Sequence, residues 1–416
     1  MALSLRENLG ALRERDFRLL FTGTAITTVG DGLAGIAIAF AVLDIGSATD
    51  LGIVFAVRQA AEALVLVLGG VISDRLPRNI VMVGASTIQG IAQAATAVAV
   101  LGGFGSIAAI VAFQALYGVG AGLVIPAEIG LVPQTVSPDR LQQANALQGL
   151  GRNLTRILGP ALGGALVVAG SPGVALGIDA LSFLICAVIL QRIRIPPRAE
   201  GAAQENFLHE LREGWTAFTS RTWLWASTVL FGIGNLGFTA WIVLGPVVAK
   251  ADLGGAGPWG TIVAIGGVGA ITGSVIAMRI RPKRPLVACT IAAVPLAGQT
   301  LVLAVAPSVW LLSIASFLGG AAIAVHLTLW FTLFQREIPE NLRSRVSSYD
   351  VLFSFVLMPI GFAVVGPLAD AIGVTETLWL SLGVMLITWA LILSLPSVWA
   401  IRAPAAVDAD APTMPA

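Results

Sequence analysis

Apolar runs recur along the whole 416-residue chain. Each is roughly 20 residues long, enough to cross a hydrocarbon core of about 30 Å. Inside lipid every backbone N–H and C=O must be paired within the protein, which leaves helices or closed barrels. Barrel strands would show as short alternating segments, so the runs read as helices. Composition agrees: 56% of residues are hydrophobic and only 11% charged, too few for the polar shell of a soluble protein. The 47 glycines suit close helix packing in lipid. Only Cys186 and Cys289 are present, both in apolar runs, so neither a disulfide framework nor a cysteine metal site is expected.

Twelve spans are read, at 17–44, 51–72, 80–102, 106–127, 145–169, 173–193, 223–248, 259–280, 285–306, 308–334, 346–372 and 374–395. The expected fold is an all-α membrane protein of two pseudo-symmetric six-helix bundles. Residues 1–195 form the first bundle, 196–222 a linker, 223–395 the second bundle and 396–416 a disordered tail rich in Ala, Pro and Asp. The linker opens on Pro196 and Pro197 and continues into an amphipathic stretch around Phe207–Phe218. The first 18 residues mix Arg6, Arg13, Arg15 and Arg18 with Glu7, Glu14 and Asp16, and no cleavable leader pattern follows. The first apolar run is therefore expected to be helix one of the mature protein.

Basic residues decide the orientation. Arginine and lysine gather before the first span, in loops 72–79, 128–144, 279–284 and 335–345, and in the linker; the opposite loops offer only Lys250. The positive-inside rule then predicts that both termini and the linker are cytoplasmic, in the plasma (inner) membrane. The net charge of +1 points to no nucleic-acid partner; the partners expected are the bilayer and a small-molecule substrate, with the chain acting as a monomer.

The halves also repeat. Gln134 to Leu141 precedes span five and Gln335 to Leu342 precedes span eleven, with Pro138 and Pro339 aligned at an offset of 201 residues. Parallel repeats of this kind build many secondary transporters, with the substrate path between the halves.

Motifs at these places resemble the major facilitator superfamily. Gly70-Val-Ile-Ser73-Asp74-Arg75-Leu-Pro77-Arg78 resembles the superfamily's G-x-L-A-D-R-x-G-R loop, with Pro77 in place of the glycine. The resemblance implies that Gly70, Asp74, Arg75 and Arg78 latch one of the alternating conformations. Gly159-Pro160-Ala-Leu-Gly163-Gly164 resembles the tail of the antiporter motif, a pliable hinge in drug–proton exchangers. The run from Gly120 through Pro126, Asn145, Gly159, Asp179 and Phe183, with Pro339 to Val346, is similar to the enterobactin-exporter and macrolide-efflux branch. That similarity implies proton-coupled export of an amphipathic small molecule, with the proton gradient in place of any cofactor. Two departures stand out: Ser344 replaces a glycine, and Gln114-Ala-Leu-Tyr117-Gly118 lacks the arginine that span four often carries.

Ionisable groups at membrane depth are functional candidates by default. Asp31 lies roughly 21 Å into span one at 1.5 Å per residue. Glu62 lies at comparable depth in span two, and Arg58, one turn away, shares its face. Two carboxylates against one guanidinium leave a net charge of −1, and desolvation and repulsion favour uptake of a proton while Arg58 opposes it. Asp31, Arg58 and Glu62 are thus the proton-coupling candidates, the other reading being a fixed lock between helices. Asp179, Asp350 and Asp370 read as lying nearer helix ends, where solvation is cheap. Candidates for the substrate path are Thr28, Gln114, Tyr117, Arg156, Asn235, Phe238, Trp241, His326 and Trp330.

The chain has no Walker A loop, G-x-S-x-G or H-E-x-x-H, so neither an ATP-driven pump nor an enzyme is expected. Beside export stand two further readings: solute uptake on the same fold, and a membrane sensor that does not transport.

Overall fold

A computed structural model describes residues 10–195 and 207–403, without the side chains of 67–75 and 207–211. The first half is six helices: α1 (Arg15–Ile45), α2 (Ala48–Arg75), α3 (Arg78–Leu101), α4 (Ile107–Thr135), α5 (Leu141–Ala169) and α6 (Pro172–Leu190). A linker helix, α7 (Phe207–Thr219), leads into the second half. That half comprises α8 (Thr222–Asp252), α9 (Ala256–Ala277), α10 (Pro285–Ala292), α11 (Val294–Val305) and α12 (Val309–Glu337). It ends with α13 (Glu340–Phe355), α14 (Met358–Ile372), α15 (Val374–Ser394) and the short α16 (Pro396–Ala400).

Ten helical passes among the described residues are long and apolar enough to cross a membrane, with α10–α11 and α13–α14 each counted as one. The long helices α2 and α5 complete the bundle, and α5 is markedly polar, with Gln142, Gln143, Asn145, Gln148, Arg152, Asn153 and Arg156. The expected all-α membrane fold is borne out. Spans nine and eleven differ from expectation in being broken, at Ala293 and at Val356–Leu357. Pro295 and Pro359 follow each break, where a missing N–H removes the helical bond across the joint.

The short turns on the face opposite the termini, the far face, are set by hydroxyl caps. Ser106, Ser171 and Ser308 accept from the backbone N–H of Ala109, Val174 and Leu311 at the starts of α4, α6 and α12. Ser47 and Asp50 cap each other reciprocally at the start of α2, the side chain of each accepting from the other's backbone N–H.

One expectation is overturned. Residues 396–403 are not a disordered tail: α16 docks with Val398 fully buried, and the Ala403 N–H donates to the Lys283 carbonyl (2.9 Å). The apolar side chains Val398, Trp399 and Ile401 give this segment a packing face that the Ala, Pro and Asp composition of the whole tail masks. Residues 404–416, and linker residues 196–206, lie outside the described residues.

The core is divided in a way that bears on function. Toward the far face one apolar cluster draws on both halves, joining Ile36, Phe40 and Val54 to Trp241, Leu244 and Phe362. Toward the terminal face the clusters are separate, one from residues before 196 and one from residues after 216. Polar ties follow the same division: Lys250 donates to Asp44 (2.7 Å) and to the Leu43 carbonyl, and Thr49 donates to Asp370. Glycines bring the halves to backbone contact in the same region, Gly52 against the Phe362 carbonyl and Gly164 against Ala256. Among the described residues, the ties between the halves thus lie from mid-molecule to the far face.

Candidate functional site

The charged cluster is positioned by glycines. On α4, Gly118 and Gly122 sit one turn apart against the α2 backbone; a Cβ at Gly118 would fall on the Arg58 carbonyl, and one at Gly122 would lie 2.6 Å from the Glu62 carbonyl. This small-xxx-small face brings α2 close enough for Arg58 and Glu62 to share a site with Tyr117. On α1, Gly30 likewise leaves room for Asp179 and Ser182 of α6, one residue before Asp31.

Within this frame the Tyr117 hydroxyl donates to Asp31, and the Arg58 guanidinium lies 4.0 Å from the centroid of the Tyr117 ring. A cation on a desolvated aromatic face is held by about 2 kcal/mol. Phe183 supports the ring from the side, edge to face at 5.7 Å. Asp31, Arg58 and Glu62 are half-buried and all line one cavity of about 290 Å³ inside the first half. The cavity runs toward the terminal face, where Glu128 and Arg152 form an ion pair at 3.3 Å with the Arg152 side chain 56% exposed.

Asp179 does not lie in a cheaply solvated place. It is fully buried behind the cavity, accepting from Gln93 (2.7 Å) and Ser182, while Gln114 donates to Gln93 (3.0 Å) and Thr96 (3.3 Å). Asp350 is also buried, 5% exposed, and accepts from Thr228 (2.7 Å) and the Trp330 indole (3.0 Å). Both were misjudged because sequence depth counts distance along a helix, whereas burial here comes from neighbouring helices. Asp370 is exposed and serves the far-face tie to Thr49.

The substrate-path candidates scatter. Thr28 and Tyr117 line the cavity, whereas Gln114 belongs to the buried network behind it. Arg156 is exposed, with its carbonyl against Gly267 of α9. Asn235 donates to the Ser354 carbonyl (2.9 Å), Trp241 lies tilted against Trp259 at 4.9 Å between ring centroids, and the Trp330 indole donates to Asp350. His326 packs against Phe231 with Nδ1 3.0 Å from the Cys289 carbonyl, and Phe238 is half-buried in the second half. Sequence reasoning missed Gln89, Gln148 and Glu128 of the cavity wall. A polar residue at membrane depth was the available signal for Gln89, whereas Gln148 sits near the start of a span and Glu128 in the loop that the apolar runs define.

Two motifs gain a physical account. Gly159 and Gly163 pack on Gly32 and Leu33 of α1, Gly164 on Ala256 and Gly260 of α9, and the Pro160 carbonyl faces Gly260. The segment is where α1, α5 and α9 cross, and α5 stays helical through Pro160. In the loop motif, Arg78 donates to the Gly130 carbonyl of α4 (2.6 Å). Gly70, Asp74 and Arg75 lie on α2, and their side chains are outside the described ones.

The architecture matches solved transporter structures over nearly the full chain. A bacterial homologue of the human lysosomal transporter Spinster, inward-facing and unoccupied, aligns with a TM-score of 0.74 at 14% identity, covering 95% of this chain and 99% of that one. A bacterial homologue of the iron transporter ferroportin, in an inward-facing state, aligns with a TM-score of 0.69 at 18% identity, covering 91% and 98%. These likenesses define the fold, an all-α membrane bundle shared with those solved structures. The family model for transmembrane secretion effectors (MFS_3) matches residues 7–412, and the chain belongs to that family. It is 27% identical over 376 residues to the enterobactin exporter EntS of Salmonella typhimurium, 87% of each chain being covered. It is also 24% identical over 420 residues to the multidrug efflux pump Tap of Mycobacterium bovis, covering 95% of this chain and 94% of that one.

Proposed function

We propose that this chain exports an amphipathic small molecule across the plasma membrane by alternating access, driven by the proton gradient. Export is supported by its family and by its likeness to an enterobactin exporter and a multidrug efflux pump. The observation that carries the coupling is the floor of the cavity, where Asp31 and Glu62, with Asp179 behind, face the single guanidinium of Arg58. Fully ionised, three carboxylates and one cation carry a net charge of −2 at the inner end of that cavity. One arriving proton reduces that charge, and its departure restores it.

The distribution of arginine supports a cytoplasmic terminal face, with both termini inside. The cavity, reaching that face at Arg152, is then open to the side from which an exporter loads. The closed far face and separate terminal-face cores fit the inward-facing state of such a cycle.

The test is efflux from inverted vesicles, where transport from the cytoplasmic side appears as uptake, with substrates first found by comparing the susceptibility of deletion and overexpression strains. Collapsing the pH gradient is expected to abolish uptake by the wild type. Asp31→Asn and Glu62→Gln are each expected to lose gradient-driven transport while keeping downhill exchange. Full gradient-driven transport by both variants would end the coupling assignment, and accumulation only in the opposite direction would replace export with uptake.

A further inference from the structure

Helix α5 carries two exposed faces that cannot share one environment. Leu150, Leu154, Leu158 and Leu162, 41–65% exposed, form one stripe. Gln142, Asn145, Arg152, Asn153 and Arg156, also exposed, form the other. Arg156 stands two residues from both Leu154 and Leu158, which places it about 200° round the helix from Leu154 and on the side opposite the leucines. Both flanks between the faces are packed. On one, Thr155, Gly159 and Gly163 lie on α1 of the same half; on the other, Ile157, Pro160 and Gly164 lie on α9 of the other half. The helix is thus a wedge between the halves, with one free face turned outward and one turned into the space between them. Lipid covers a leucine face, whereas glutamine, asparagine and arginine need water or polar partners. The polar face therefore lines the space between the halves.

Arg156 is the uncompensated charge on that face. Arg152 pairs with Glu128 at 3.3 Å, whereas the Arg156 side chain makes no hydrogen bond or ion pair among the described residues. The α9 wall beside it, Ala256–Ala277, contains no ionisable residue, and on α1 the carboxylate of Asp31 lines the first-half cavity. Arg156 lies midway along the 29 residues of α5, about 20 Å from the helix end at 1.5 Å per residue. Its backbone meets Gly267 at the edge of the α5–α9 crossing, beyond which, toward the terminal face, the halves have separate cores. A free guanidinium at such depth marks a substrate path, and its planar fork of donors matches the two oxygens of an oxyanion.

We propose that Arg156 anchors a second binding subsite, in the path between the halves, for the oxyanion group of an amphipathic anion: a carboxylate or sulfonate on an apolar body. The carboxylates of the first-half cavity repel such a group. Anion recognition and proton binding then fall to different places, Arg156 between the halves and Asp31 with Glu62 inside the first. The assignment names a substrate class for the export reading and rests on that reading for its place in transport; binding itself is tested without any gradient.

The probe is naphthoate, a carboxylate on two fused rings, against naphthamide, its uncharged equivalent of the same outline. Affinity is read by titration, with thermal stabilisation beside it, on purified protein in nanodiscs of a neutral lipid, which leave both faces in water. Wild type is expected to bind naphthoate more tightly than naphthamide. Arg156→Gln is expected to weaken naphthoate about tenfold and leave naphthamide unchanged, Arg156→Lys to restore part of the loss, and Arg279→Gln, a surface cation elsewhere, to have no effect. The facing of the helix is read separately, in a background of Cys186→Ala and Cys289→Ala, by reaction with a sulfonate-bearing methanethiosulfonate that does not enter lipid. Asn153→Cys is expected to react rapidly and to be slowed by naphthoate, and Leu154→Cys on the opposite face to react slowly. Absence of naphthoate binding to wild type, or equal binding by wild type and Arg156→Gln, would overturn the subsite, as would faster labelling at position 154 than at 153. Intact naphthoate discrimination together with flux only in the opposite direction, or without a gradient, would sink the export or coupling reading and leave the subsite standing.

Discussion

At the residue scale, glycine does two opposite things in this fold. Gly118 has no room for a side chain, because the Arg58 carbonyl occupies the place of a Cβ, whereas Gly149 on α5 has nothing within 4 Å of that place. Alanine at position 149 is therefore expected to stabilise the protein by about 0.5–1 kcal/mol through lower backbone entropy in the unfolded chain. Valine at position 118 is expected to cost about 1–3 kcal/mol by forcing α2 away, and to misplace Arg58 enough to depress transport. Thermal unfolding of the purified variants beside the wild type checks both signs. The same contrast shows what sequence could reveal. Asp31, Arg58 and Glu62 stood out because charge is rare in apolar runs, and the cavity brings all three together. Gln89 and Gln148 did not, because a glutamine in a membrane helix usually finds a partner, and only the assembled wall shows both in the same cavity as the charges.

At the element scale, the second half is bound together at its terminal face by segments that composition made easy to dismiss. The linker helix α7 lays Trp215 and Phe218 on Tyr349 and Phe353 of α13, and Glu213 pairs with Arg345. Beyond α15 the chain turns back: Arg284 lies over the Trp399 ring at 5.0 Å, the Trp399 indole donates to the Leu393 carbonyl (2.6 Å), and Arg336 donates to the Arg402 carbonyl. A tail read only as Ala, Pro and Asp is expected to be solvated. The eight described residues that follow Leu395 obey a local rule instead, a proline-started turn with one buried valine. Trp399→Ala is expected to lower stability by about 1 kcal/mol, as an exposed cation–aromatic contact and one hydrogen bond are lost. Truncation after Leu395 is expected to cost more, because it also removes the fully buried Val398, a side chain whose burial is worth roughly 1.5–3 kcal/mol. Melting curves in detergent order the three proteins, and identical curves would mean that the docked segment carries no stability.

At the scale of the whole molecule, the all-helical membrane fold was legible because apolar length is a property of the chain itself. Which face is closed was not legible, since that depends on how the halves lean on each other. The structure answers it with shared packing at the far face and separate cores at the terminal face. If export proceeds by alternating access, the far-face ties must break once in every cycle, and fixing them must stop transport without emptying the cavity. Thr49 on α2 and Asp370 on α14 already touch across the halves, and Gly366, one turn before Asp370, lies against the Thr49 backbone. In a background of Cys186→Ala and Cys289→Ala, the pair Thr49→Cys and Asp370→Cys is expected to be joined by oxidation or a short thiol crosslinker. Flux in vesicles is expected to fall to the background rate on crosslinking and to return on reduction. Undiminished flux after complete crosslinking would show that the far face need not open.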